Sequence, residues 1–211
     1  MAPKAPTTTK SSTAKTATPN PSPKERSAAA KARLLAAANE LFYAEGIQGV
    51  GIDRVIEHAG VAKATLYSAF GNKEGLIRAY LQARHDATSE RMAKELAERY
   101  ETAKERLVGV FEVQGLSFTD PSFRGCAFIG ANADAPNIPA VEESSHNYRA
   151  WLHALFLDLA VEAGAKDPVL LAQQLVLLYD GSGISAWLDK DKAADNTART
   201  VAAALVDAAT S

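Results

Sequence analysis

Gly51 to Leu76 reads GIDRVIEHAGVAKATLYSAFGNKEGL, and this stretch decides the fold. Ile52, Val55 and Ile56 fall at helical spacing, and Ala59-Gly60-Val61 then interrupts the pattern. Gly60 suits the left-handed residue of a tight turn because it has no Cβ to clash. A second short helix is expected over about Ala62 to Phe70, with Leu66, Ala69 and Phe70 turned inward. Its other face carries Lys63, Thr65, Tyr67 and Ser68, with small Ala64 among them. Two helices joined by such a turn also describe an ordinary hairpin with a solvated face. A small, polar and basic outer face propped by a partner helix, however, fits the DNA major groove. Asn72-Lys73-Glu74 opens a third helix with Asn72 as N-cap, which puts a positive dipole end beside Lys73 and makes a phosphate site.

These residues resemble a known family. AGVAKATLYSAFGNKEGL is similar to the helix-turn-helix signature of tetracycline-repressor-like (TetR) transcriptional regulators. The upstream LLAAANELFYAEGIQGVGIDRVIEHAG is similar to that family's first two helices. The likeness runs over roughly Lys31 to Leu81. It departs where Gly51 replaces a capping hydroxyl and at Ala62, Ala64 and Ser68-Ala69. On the residues themselves, Lys63, Ala64, Thr65 and Ser68 are the candidates near base edges. Tyr67, Lys73 and the helix start at Asn72 are the candidates for phosphates, with Arg54 of the supporting helix beside them.

Outward from this core the chain reads as all-α. A first helix is expected from Ser27 to Gly46, with Leu34, Leu35, Ala38, Leu41 and Phe42 as its stripe. Long helices follow over about 73–100, 102–116, 141–163, 168–187 and 196–209. No strand alternation and no internal repeat is found. Residues 1–26 form a Thr/Ser/Ala/Pro/Lys tail with almost nothing to bury, so disorder is expected. Lys4, Lys10, Lys15, Lys24 and Arg26 make it basic: either an arm along DNA or a solubilising tail. The expected division is a tail at 1–26, a DNA-binding domain at 27–80, and an effector-binding and dimerisation domain at 81–211.

Charge supports one polyanion-facing end. Residues 1–80 carry 11 Lys and Arg against 6 Asp and Glu, whereas 81–211 carry 12 against 19. The single cysteine, Cys126, excludes an intrachain disulfide. With no secretory leader and no run of apolar residues long enough for a membrane span, a cytoplasmic protein is expected. The four histidines, His58, His85, His146 and His153, are scattered, and CxxC, HExxH and GxSxG are absent. Neither an enzyme nor a bound metal or cofactor is expected.

RGCAFIGANAD and LAQQLVLLYDGSGISAW are similar to looser segments of one branch of the same family. That likeness implies a helical half that binds a small apolar or amphipathic ligand and pairs its last two helices with a second subunit. The candidate lining is Phe111, Cys126, Phe128, Ile129, Trp151, Leu155, Tyr179 and Trp187, with Asn132, His146 and Asp180 as polar anchors. A plain core reads the same residues. The expected function is a DNA-binding regulator, a repressor released from its operator by that ligand, acting as a homodimer. The alternative is an effector-independent DNA-binding or nucleoid structural protein, whose carboxy-terminal half would be packed without a cavity.

Overall fold

The computed structural model describes Met1 and residues 22–211, and every regular element within them is an α-helix. The order is α1 (Pro23–Glu45), α2 (Ile52–Ala59), α3 (Lys63–Phe70), α4 (Lys73–Arg99), α5 (Ala103–Gly115), α6 (Ala127–Asp134), α7 (Pro139–Glu162), α8 (Pro168–Leu188) and α9 (Ala194–Thr210).

The first helix begins before Ser27. Ser22 Oγ accepts the Glu25 N–H at 3.3 Å, and the Glu25 carboxylate accepts the Ser22 N–H at 2.6 Å. With Pro23 at the first helical position, this is a complete capping box. The Ser-x-x-Glu cue stood at the end of a Ser/Pro-rich run and was absorbed into the expected tail. Lys24 and Arg26 therefore sit on α1, while Lys4, Lys10 and Lys15 of that tail lie outside the described residues.

The turn between α2 and α3 forms as the sequence implies. Gly60 has φ 61° and ψ 44°, and Val61 N–H donates to the Ile56 carbonyl at 3.3 Å. Nothing lies within 4 Å of where a Gly60 Cβ would stand, so only the backbone conformation selects glycine there. Asn72 Oδ1 accepts the Gly75 N–H at 2.8 Å and starts α4.

Two apolar cores result. The first gathers Leu34, Ala38, Leu41 and Phe42 of α1 with Ile47, Val50, Val55, Leu66, Leu76, Ile77, Tyr80 and Leu81. It continues without a break into Phe128 and Ala131 of α6 and Val141 and Tyr148 of α7. A boundary at 80/81 therefore cuts through one continuous core. The second core surrounds α5: Leu107, Val110, Phe111 and Val113 meet Met92, Leu96, Leu152, Phe156, Leu175, Tyr179 and Val206. Trp151 packs against both cores. α8, apolar almost all round, buries Leu171, Leu175, Val176 and Tyr179 inside the chain but leaves Leu170, Leu177, Ile184 and Leu188 exposed.

Each core contains a buried phenol held neutral. Burial pushes both Tyr80 and Tyr179 up to about 12. The folded state favours the neutral ring, so its contribution is fully present below about pH 10, where an unfolded tyrosine ionises, and is lost as pH rises toward 12. An alkaline titration followed by phenolate absorbance should show late-ionising tyrosines that appear together with loss of helicity. Tyr80→Phe and Tyr179→Phe should each remove one of them; ionisation of all six tyrosines near pH 10 would contradict the burial.

Candidate nucleic-acid interface and internal cavity

Ala64, Tyr67 and Ser68 of α3 are exposed, Thr65 is half-buried, and Leu66 beneath them is fully buried. The helix is thus anchored by one face and open on the other. Its N-cap position, Ala62, offers no side-chain hydrogen bond, so the first-turn amides lack a cap. Lys63 Nζ pairs with Asp53 Oδ1 at 2.8 Å, and the Arg54 guanidinium pairs with both oxygens of Glu45. These side chains are well exposed, and pairs of this kind contribute only about 0–1 kcal/mol. Phosphates can therefore replace the carboxylates at little cost.

The start of α4 forms as expected. The Asn72 side chain is spent on capping α4. Lys73 Nζ donates to the Ile47 carbonyl at 2.6 Å, tying α4 to the turn after α1, and its burial lowers the ammonium pKa. The positive dipole end of α4 and the half-buried Lys73 ammonium stand side by side, the latter already holding one backbone carbonyl. Lys31, absent from the expected set, lies 5.5 Å from the centre of the Phe70 ring at the end of α3. Its cue in the sequence was weak, because a lone lysine on α1 reads as solvated surface.

The other half of the chain contains a cavity of about 470 Å³. Six of the expected residues, Cys126, Phe128, Ile129, Tyr179, Asp180 and Trp187, stand in its wall. Phe111, Asn132, His146, Trp151 and Leu155 do not. Phe111 is wholly buried against Phe156 and Tyr179, and Leu155 packs on the same core. Trp151 lies against Tyr148 and His85 at the junction of the two cores. Asn132 Nδ2 donates to the Phe128 carbonyl at 2.9 Å and to Ser145 Oγ, fastening α6 to α7. His146 is exposed on α7. Helical periodicity ranks residues by inwardness but cannot separate a wall from solid core.

The wall also holds residues that the sequence reading passed over: Tyr43 of α1, Arg84 and Arg91 of α4, and Gln114 of α5. Gln114 is buried, donates to the Tyr179 carbonyl at 2.9 Å and accepts from Ser182 Oγ at 2.7 Å. Gly183 lets that amide come close, since a Cβ there would stand 3.2 Å from Gln114 Nε2. Gly125, at φ 82°, would place a Cβ 3.2 Å from the Trp187 ring, so glycine is needed there for both backbone and space. Phe128 stacks on Tyr148 at 4.1 Å between centroids. Burial pushes the Cys126 thiol up, which keeps it protonated and a poor nucleophile at neutral pH.

The cavity wall touches the DNA-reading head through α6 and the loop before it. Tyr43 Oη donates to the Gly125 carbonyl at 2.9 Å and accepts the Arg124 N–H at 2.8 Å. At the far end of α6, Asp134 Oδ2 accepts the Gln48 N–H at 2.8 Å, and the Gln48 amide donates to the Asp134 carbonyl. Between these clamps the seam of α1 and α6 encloses a smaller cleft of about 190 Å³.

A short exposed helix, braced by a second helix across a left-handed glycine and carried on a helical body, defines a helix-turn-helix DNA-binding protein. The family model for bacterial regulatory proteins of the tetR family matches residues 34–80. A TetR-family transcriptional regulator from Streptomyces coelicolor is 30% identical, with 87% of this chain and 97% of that chain covered and a TM-score of 0.81. A TetR-type regulator from Streptomyces avermitilis is 32% identical over 85% of this chain and 97% of the other, with a TM-score of 0.72. A TetR regulator from Chloroflexus aurantiacus, at 19% identity, covers 87% of this chain and 96% of its own with a TM-score of 0.76, a likeness of fold alone. No curated protein matches the chain. The chain belongs to the TetR family of transcriptional regulators. No helix among the described residues is long and apolar enough to cross a membrane.

Proposed function

We propose that the chain is an operator-specific homodimeric repressor, released from DNA by a small amphipathic ligand that enters the 470 Å³ cavity. The observation that carries the reading is the pair of clamps on α6: the element that walls the cavity is also hydrogen-bonded to the turn that seats the DNA-reading head. An effector-independent nucleoid protein would have no use for that cavity. In this reading the head, expected at residues 27–80 and extended to Pro23 by the capping box, reads DNA. Residues 81–211 bind ligand and dimerise. A ligand that presses on Phe128 or Ile129 shifts α6, and α6 pulls on Gly46–Gln48. Two heads must sit about 34–36 Å apart to enter successive major grooves. A ligand that favours another separation releases the operator, and each tenfold preference shifts the balance by about 1.4 kcal/mol.

Dimerisation is argued from α8. Leu170, Leu177, Gly181, Ile184 and Leu188 are exposed and follow one another at helical spacing. Gly181 has nothing near its Cβ position, so a second backbone can approach there. On α9, Val201 and Ala204 are exposed. Leu205, by contrast, packs partly on the intrachain core and is a poor place to probe the interface.

Three outcomes are expected. On an operator obtained by selection from random DNA, Lys63→Ala and Thr65→Ala should each lose about 1–3 kcal/mol of discrimination against non-specific sequence. Lys31→Ala should weaken both kinds of DNA alike and flatten the log–log salt slope by about one unit. Equal losses on both DNAs for all three variants would remove the base-contact assignment. In sedimentation, Leu177→Glu together with Ile184→Glu should give a folded monomer, and a wild-type monomer at micromolar concentration would remove the dimer. Finally, Asp134→Ala should leave ligand affinity intact, measured by fluorescence of Trp187, while reducing ligand-driven release of DNA. Full release from that variant would show that α6 is not the route.

A further inference from the structure

We infer that the cavity ligand is an amphipathic anion, with an apolar body against Phe128, Ile129 and Trp187 and one acidic head against Arg84 and Arg91 of α4. The inference rests on the ligand-binding reading above and deepens it. Arg84 and Arg91 are seven residues apart on one helix and both line the cavity. Seven residues is close to two turns, so both side chains leave the same face. Neither meets a carboxylate among the described residues. Arg84 stacks 3.9 Å over the Tyr43 ring, also reaches the Tyr80 ring and its hydroxyl, and donates a long bond, 3.4 Å, to the Asn39 carbonyl, so its partners are neutral groups. Among the described residues the Arg91 side chain makes no hydrogen bond and no ion pair, and the Nε of both arginines is closed off without an acceptor.

The two acidic groups of the wall are held elsewhere. Asp180 accepts both of its contacts from Arg149, at 2.7 and 2.8 Å. Asp120 accepts the N–H and hydroxyl of Ser122 at 2.8 Å and is exposed on the loop. The inner wall therefore holds two guanidinium groups with no carboxylate paired to either among the described residues. Such groups bind a carboxylate or sulfonate through paired N–H donors, and they gain more from it than an already paired charge would. The aromatic remainder of the wall accepts the body of the molecule.

The test uses two fluorescent probes that differ by one acidic group. 8-Anilinonaphthalene-1-sulfonate carries a sulfonate, and N-phenyl-1-naphthylamine has the same rings without it. Affinities of the full chain for each are measured by energy transfer from tryptophan, with Trp187→Phe to assign the transfer to the cavity. The sulfonate should bind about tenfold or more tightly than the neutral probe. Arg91→Gln should erase most of that difference by weakening the sulfonate alone, while Arg91→Lys should restore part of it. Unchanged binding of the neutral probe reports that the variant's cavity is intact. If both probes bind with Trp187-dependent transfer but equal affinity, or if Arg91→Gln weakens them equally, the anion inference falls while the ligand cavity stands. If neither probe shows transfer from Trp187, the cavity does not take such ligands and both readings fall.

Discussion

The joint burial of Tyr80, Leu81, Phe128 and Tyr148 is the constraint on which the rest of the molecule depends. A three-helix DNA-reading head of this size has little apolar surface of its own. It completes its core by borrowing the inner faces of α6 and α7. Close-packed interiors transmit displacement because they have no slack to absorb it. The head and the cavity wall therefore share one packed core. The hydrogen bonds from Tyr43 to Gly125 and from Gln48 to Asp134 fix the register of that contact.

Electrostatics separates the two working surfaces. On the head, Lys63 and Arg54 hold carboxylates in solvent, where an ion pair is weak and readily exchanged. Such a surface is preset for a polyanion without a large penalty in its absence. In the cavity, Arg84 and Arg91 are half-buried with no paired carboxylate among the described residues and each with an unpartnered Nε, a less common and costlier arrangement. The first surface suits a partner bound through many weak contacts. The second suits one molecule recognised by one strong contact.

Much of this was readable without coordinates. The αL glycine at 60, the Asn72 cap, the buried Leu66 and the helix starting at Pro168 each follow from local chemistry. The early start of α1 was also written in Ser22 and Glu25, but a capping box inside a low-complexity run competes with the compositional signal for disorder. The roles of Lys73, Asn132 and Arg91 were not readable. The first two depend on a partner from a distant element, the Ile47 carbonyl and Ser145; the third depends on which arginines of α4 find a carboxylate, as Arg78 and Arg99 do, and which do not.

The sequence by itself determined every helix except α6, their order and the turn geometry of the DNA-reading pair, because these rest on spacing and short-range hydrogen bonds, and its motifs carried the likeness to the family; α6, short and made of small residues, showed no such periodicity. Only the tertiary structure decided which inward residues face a void and which face each other. Phe128 and Phe111 have the same periodicity and chemistry, yet one walls the cavity and the other is solid core. Periodicity records which side of a helix is buried. What that side meets is set by how α5, α6 and α8 cross, and crossing geometry is a property of the whole packed assembly.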